Sequence, residues 1–264
     1  MKISIYHVDA FTDKIFSGNP AGVCVLKAWL PDNYLHLIAK ENNLPVTAFL
    51  VREGNKFDIR WITPEYELDL CGHGSLSAAY VIFNYIEQTW QKVELQSPAG
   101  ILPVSRASDL ITLNFPVKNI EICSLPLLAE GLRLTPKEVY QYKNERCLAV
   151  FNTEEEIHKL IPDMQMLKKL EHRGIIVTAP GKNVDFVSRT FYPQKTISED
   201  PVTGASHCLL APYWSERLNK TELHARQVSQ RGGEIICKHQ GDRVLISGKA
   251  VLYMHGVSAF EYNS

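Results

Sequence analysis

Neither sign of charge dominates this chain: 28 Lys and Arg stand against 29 Asp and Glu in 264 residues. Nucleic-acid binding draws on a basic surplus to neutralise phosphates, and none is present. Blocks of like charge, which would suggest an interaction tail, are missing as well. No apolar run nears the about 20 residues of a membrane-crossing helix, so no membrane partner is expected. Residues Met1 to Asp9 alternate and soon carry an acid, so they read as an edge strand rather than a signal peptide. The six cysteines, at 24, 71, 123, 147, 208 and 237, form no C-x-x-C pair and no His/Cys cluster at zinc spacing. Reduced thiols, a cytoplasmic setting and no metal are the expectation. Phosphate loops, G-x-G-x-x-G turns, H-E-x-x-H and G-x-S-x-G are absent. Nucleotides and redox cofactors therefore lack support, and acid–base chemistry on a small molecule remains.

What is present repeats. Arg60-Trp61-Ile62-Thr63-Pro64 leads through a short acidic connection to Gly72-His73-Gly74-Ser75 and an apolar run. About 130 residues on, Arg189-Thr190-Phe191-Tyr192-Pro193 leads to Gly204-Ala205-Ser206 and another apolar run. Each half then passes a Ser-x-x-Gly (Ser97 to Gly100, Ser229 to Gly232) and an alternating strand (Leu110 to Phe115, Arg243 to Gly248). Short β-branched stretches such as 47–51, 57–61, 174–178 and 184–189 predict strands. Residues 32–42 predict an amphipathic helix capped by Asp32, and 75–86, apolar almost all round, predict an enclosed one. Residues 208–214 repeat that character, with Pro212 expected to kink or shorten the helix. The division is an N-terminal lobe 1–116 and a C-terminal lobe 117–264, with a proline-bearing joint at 116–146.

Each enclosed helix opens with small residues, which let a ligand approach backbone N–H groups that no helical carbonyl satisfies. The helix dipole favours an anion there, so a small carboxylated molecule is the expected partner. His73, flanked by Gly72 and Gly74, is expected to be poorly covered and to titrate near neutrality. Asp200 is either an N-cap carboxylate or a catalytic one. Cys71 is either a thiolate at a helix N-terminus or a small buried hydrophobe. Glu65, Glu67 and Asp69 alternate and are expected on a solvated strand face.

Several stretches together resemble the phenazine-biosynthesis-like isomerases, relatives of diaminopimelate epimerase. They are Val8 to Phe11, Phe16 to Val23, Thr47 to Phe49, Thr63-Pro64, Cys71 to His73, Glu199 to Gly204, and Gln227 to Gly233. The resemblance implies an α+β fold of two pseudo-symmetric epimerase-like lobes, each a curved, barrel-like sheet around a central buried helix. It also implies a cofactor-free cleft and a homodimer. His73 and Asp200 match the family's pair that assists a catalytic glutamate, while Gly72, Gly74 and Gly204 match backbone that receives substrate. Ser75, Ala205 and Ser206 at the same helix entrances, and Asn19, Arg231 and Gly232 in the matching stretches, are further substrate-binding candidates. The glutamate itself is replaced: the family's Ser-Glu-Thr-Ala-Phe is Pro45-Val46-Thr47-Ala48-Phe49 here. A serine common after Gly204 is Ala205, with Ser206 one place later. Three readings stay open. Another group (His73, then Asp200, then Cys71) moves the proton of a small carboxylated metabolite; the reaction differs; or the chain binds such a metabolite without turnover.

Overall fold

The computed structural model describes residues 2–259 and Tyr262. In chain order the first elements are β1 (Ser4–Ala10), β2 (Asn19–Leu26), α1 (Asp32–Asn42), β3 (Thr47–Glu53), β4 (Lys56–Ile62) and β5 (Glu67–Leu68). Next come α2 (Gly72–Val81), β6 (Lys92–Ser97), β7 (Gly100–Ala107), β8 (Leu110–Pro116), β9 (Glu121–Ile122) and α3 (Pro126–Leu132). Then follow β10 (Glu138–Tyr142), β11 (Arg146–Val150), α4 (Glu154–Lys159), α5 (Met164–Leu167), β12 (Gly174–Pro180) and β13 (Phe186–Phe191). The last are β14 (Glu199–Asp200), α6 (His207–Leu218), β15 (Glu222–Gln227), β16 (Gly233–Gln240), β17 (Arg243–Gly248) and β18 (Ala250–Val257). Two compact units result: residues 1–115 with 246–264, and residues 116–245.

The two units share one pairing scheme. In the first, β18, β1 and β2 pair antiparallel, β2 and β3 parallel, β3 and β4 antiparallel, and β4 and β6 parallel. In the second, β9, β10 and β11 pair antiparallel, β11 and β12 parallel, β12 and β13 antiparallel, and β13 and β15 parallel. Burial alternates identically in β6 and β15, and again in β7 and β16. The repeat legible in the sequence is thus a repeat of hydrogen-bonding register, and the fold is α+β.

In each unit one sheet face is covered by short helices and the other holds a buried helix. Leu35 and Ala39 of α1 pack with Cys24, Leu26, Phe49 and Val51. Leu128, Ile157 and Leu167, from α3, α4 and α5, pack with Cys147, Ile175, Val187 and Phe191. Buried residues line all of α2 except Tyr80, which is why its sequence shows no polar stripe. Each fully buried Leu, Val or Phe of these layers contributes roughly 1.5–3 kcal/mol.

Several expectations need correction. Strand β1 is no edge: it pairs with β2 on one side and with β18 on the other. Residues 246–264, assigned by sequence to the C-terminal lobe, belong with the first unit for that reason. The cap of α1 is Pro31 rather than Asp32, whose carboxylate instead pairs with Arg60. Helix α2 starts at Gly72, three residues early, and closes in a π-helical turn over Ile82–Ile86. Pro212 does not shorten α6, which runs on to Leu218. A proline there leaves the carbonyl of Cys208 without its helical donor, and the Lys118 N–H supplies one at 3.0 Å.

Arg60 and Arg189 occupy matching places on β4 and β13, and each fork grips one carboxylate, Glu67 and Glu199 respectively. Glu65 and Asp69 are exposed as expected, while Glu67 is partly exposed and held by Arg60. Arg189 also donates to the Ile157 and Leu160 carbonyls at the end of α4. Arg189→Ala removes both sets of bonds and is expected to cost about 2 kcal/mol, discounted for partial exposure. Urea unfolding of the variant measures it, and an unchanged midpoint would show the fork to be dispensable.

Candidate functional site

The first helix entrance is built by Cys71 to Ser75. Cys71 is extended (φ −140°, ψ 113°), and its carbonyl accepts the first helical N–H, from Ser75 at 2.9 Å. The Ser75 hydroxyl donates to the same carbonyl at 2.6 Å. Cys71 Sγ lies 3.5 Å from His73 Nδ1, a thiol–imidazole contact that is buried. The expectation of a poorly covered His73 fails, since only 8% of it is exposed. Gly74 explains the closeness of packing: a Cβ there would stand 2.7 Å from the Trp61 ring of β4. The Trp61 indole N–H is buried beside it without an acceptor among the described residues. Asn19 opens β2 and is wholly buried, as is Val46, whose carbonyl accepts the Gly22 N–H at 2.9 Å. Cys71, His73 and Ser75 thus come together. Val46 offers the site no group that could carry a proton.

The second entrance repeats the first with different side chains. Thr203 is extended (φ −111°, ψ 93°), a 3-10 turn covers Gly204–Ser206, and α6 follows. As Ser75 bonds the carbonyl four residues back, so does His207, whose Nδ1–H donates to Thr203 O at 2.9 Å. Its Nε2 is buried without a partner among the described residues. Burial pushes this imidazole down to about 4, against the opposing pull of the Thr203 carbonyl. Ser206 turns to β13, its hydroxyl 3.1 Å from that of Thr190, while Ala205 is half-buried.

Asp200 is gripped rather than loosely presented. Its Oδ2 accepts from the Thr203 hydroxyl at 2.6 Å. The wholly buried Gln227 donates to the Asp200 carbonyl at 2.6 Å and accepts the Thr203 N–H at 2.8 Å. Gly232, with φ +64°, donates to the Ser229 hydroxyl, which in turn donates to the Pro201 carbonyl. The Arg231 loop is thereby tied to the Asp200 loop. Sequence reasoning missed His207 and Gln227. The first was findable as the residue four past Thr203, mirroring Ser75 and Cys71; the second opens the stretch 227–233 that resembles the family, without being singled out there. No group of three or more His, Cys, Asp or Glu able to hold a metal occurs among the described residues.

A family model described as phenazine biosynthesis-like protein matches residues 8–256. The chain belongs to that family. It is 45% identical to an uncharacterized isomerase of Pseudomonas aeruginosa, over 97% of this chain and 98% of that one. A crystal structure from the same family, from Enterococcus faecalis, superposes with a TM-score of 0.95 at 44% identity. That likeness covers 98% of this chain and all of the other. A probable proline racemase of Agrobacterium radiobacter shares the fold alone, with a TM-score of 0.64 at 12% identity over 99% and 93% of the chains. This phenazine biosynthesis-like chain therefore stands among isomerases. Among its described residues no helix is long and apolar enough to cross a membrane.

Proposed function

We propose that this family member catalyses a cofactor-independent proton shift or epimerisation on a small carboxylated metabolite received at a helix entrance. The observation that carries the reading is that one helix entrance is built twice, with Cys71–His73 on the first and a gripped Asp200 on the second. Backbone N–H groups at such entrances suit a carboxylate. A proton then needs a donor and an acceptor, and His73 and Asp200 are the polar side chains assigned to that work. The thiol of Cys71, in contact with His73, is the third candidate. Solvent deuterium tests the proposal: it should enter one member of a panel of amino acids and cyclic carboxylates. If panel members bind yet none exchanges, the isomerase reading fails.

Val46, which is wholly buried, favours a second reading, a carboxylate-binding protein without turnover, because by the resemblance it stands where the family pattern has its glutamate. Val46→Glu separates the two. A decayed isomerase gains exchange activity by about a hundredfold or more, the lower end of what a general acid–base contributes. No gain, with binding intact, indicates chemistry that has moved to His73, Asp200 or Cys71.

A further inference from the structure

The repeat of register locates a second feature beside Asp200. Gly22, Thr47 and Ile62 stand side by side in the first unit, as Cys147, Ile175 and Phe191 do in the second. Moving one place along each strand turns Ala21, Val46 and Thr63 into Arg146, Gly174 and Tyr192. The position filled by Val46 in one unit is thus a glycine in the other, and the space is taken by a guanidinium. A Cβ on Gly174 would stand 2.7 Å from Arg146 Nη1 and 3.0 Å from the Tyr192 ring. A larger residue at 174 would push the Arg146 fork and the Tyr192 ring from these places.

Arg146 differs from the other arginines of its unit that hold carboxylates. Arg133, Arg189, Arg217 and Arg226 donate to Asp163, Glu199, Glu138 and Glu234. Arg146 donates to the hydroxyl of Tyr192, a neutral acceptor. Its cation lies 5.1 Å from the Tyr192 ring centroid, and Lys195 Nζ lies 4.4 Å from the same centroid. Asp200 and Glu145 are near enough to favour its charge, yet no carboxylate stands within ion-pair distance of it among the described residues. A partly buried guanidinium with fork positions to spare is matched to a planar anion with two oxygens.

We propose that Arg146, seated on Gly174 and backed by Tyr192, is the receptor for a carboxylate of the substrate at the second entrance. The inference rests on the reading of the substrate as a carboxylated metabolite, and it names the side chain that selects for that group. Succinate is the probe, added to the full chain while the Arg146 Nε–H and the Gly72 and Gly204 amide resonances are followed by NMR. Chloride at matched ionic strength is the control. The Arg146 resonance should shift saturably with succinate and not with chloride. Arg146→Met should weaken succinate about ten- to hundredfold, the usual effect of losing charge-assisted hydrogen bonds. Arg146→Lys should fall between, since an ammonium keeps the charge without the fork. Thermal melts confirm that each variant is folded, and the wild-type titration stands whatever they show. If succinate moves Gly72 and Gly204 with Arg146 silent and with unchanged affinity in Arg146→Met, this inference is overturned and the proposed function survives. If no resonance of either entrance responds, both are overturned.

Discussion

Asp200→Asn is expected to slow solvent-deuterium exchange by about two to four orders of magnitude, the contribution of a positioned acid–base group. The substitution is informative because the surroundings are so fully specified. Gln227 holds the Asp200 backbone through its carbonyl, and the Thr203 hydroxyl needs only an oxygen acceptor, which the amide of asparagine retains. The loop should keep its shape while losing the ability to exchange a proton. Thermal unfolding close to wild type, together with an unchanged apparent affinity for the exchanging carboxylate, would mark the loss as chemical. A variant that exchanges at the wild-type rate would remove Asp200 from the proton path and leave His73 and Cys71 as its carriers.

A pH-dependent loss of stability should be traceable to His207. In the folded chain burial pushes its imidazole down to about 4, whereas an unfolded histidine titrates near 6.5. Between those values the unfolded chain binds a proton that the folded chain refuses. The contribution is therefore fully present above about 6.5 and declines as pH falls toward about 4, where the folded form also takes the proton. The slope approaches about 1.4 kcal/mol per pH unit and the whole window is worth about 3 kcal/mol. Asparagine can still donate to the Thr203 carbonyl but has no proton to gain. Urea midpoints of wild type and His207→Asn, compared from pH 7 to 4.5, should converge as the pH drops. His172, whose pKa burial also lowers, is present in both proteins and cancels. Parallel curves would mean that His207 is not neutral and buried in solution.

Local pattern revealed much of this architecture and stopped where distant residues decide. The β-branched runs of β3 and β4 and the all-round apolar surface of α2 are properties of neighbouring residues, so periodicity found them. The paired helix entrances were legible because small residues cluster ahead of an apolar run in both halves, with Gly72 and Gly204 in matching places. The partner of β1 was not, because β18 lies more than 240 residues away and its alternation names no mate. His73 looked exposed between two glycines, yet Gly74 lets the Trp61 ring pack closely at this helix start and only 8% of His73 is exposed. Pro212 argued for a break in α6, and only the Lys118 N–H, from nearly a hundred residues upstream, shows why none is needed. Arg146 carried no motif at all. Its meaning comes from Gly174 and Tyr192, which reach it through strand register.

The pairing of β18 with β1 has a kinetic consequence. Residues 116–245 are continuous in the chain, so the second unit can close its sheet as soon as β15 to β17 have been made. The first unit, although begun earliest, must wait for its last strand while its neighbour forms. During synthesis at about 5–20 residues per second, β1 keeps one row of backbone N–H and C=O groups open for roughly 10–50 seconds. In this chain the order of translation and the order of completion run in opposite directions.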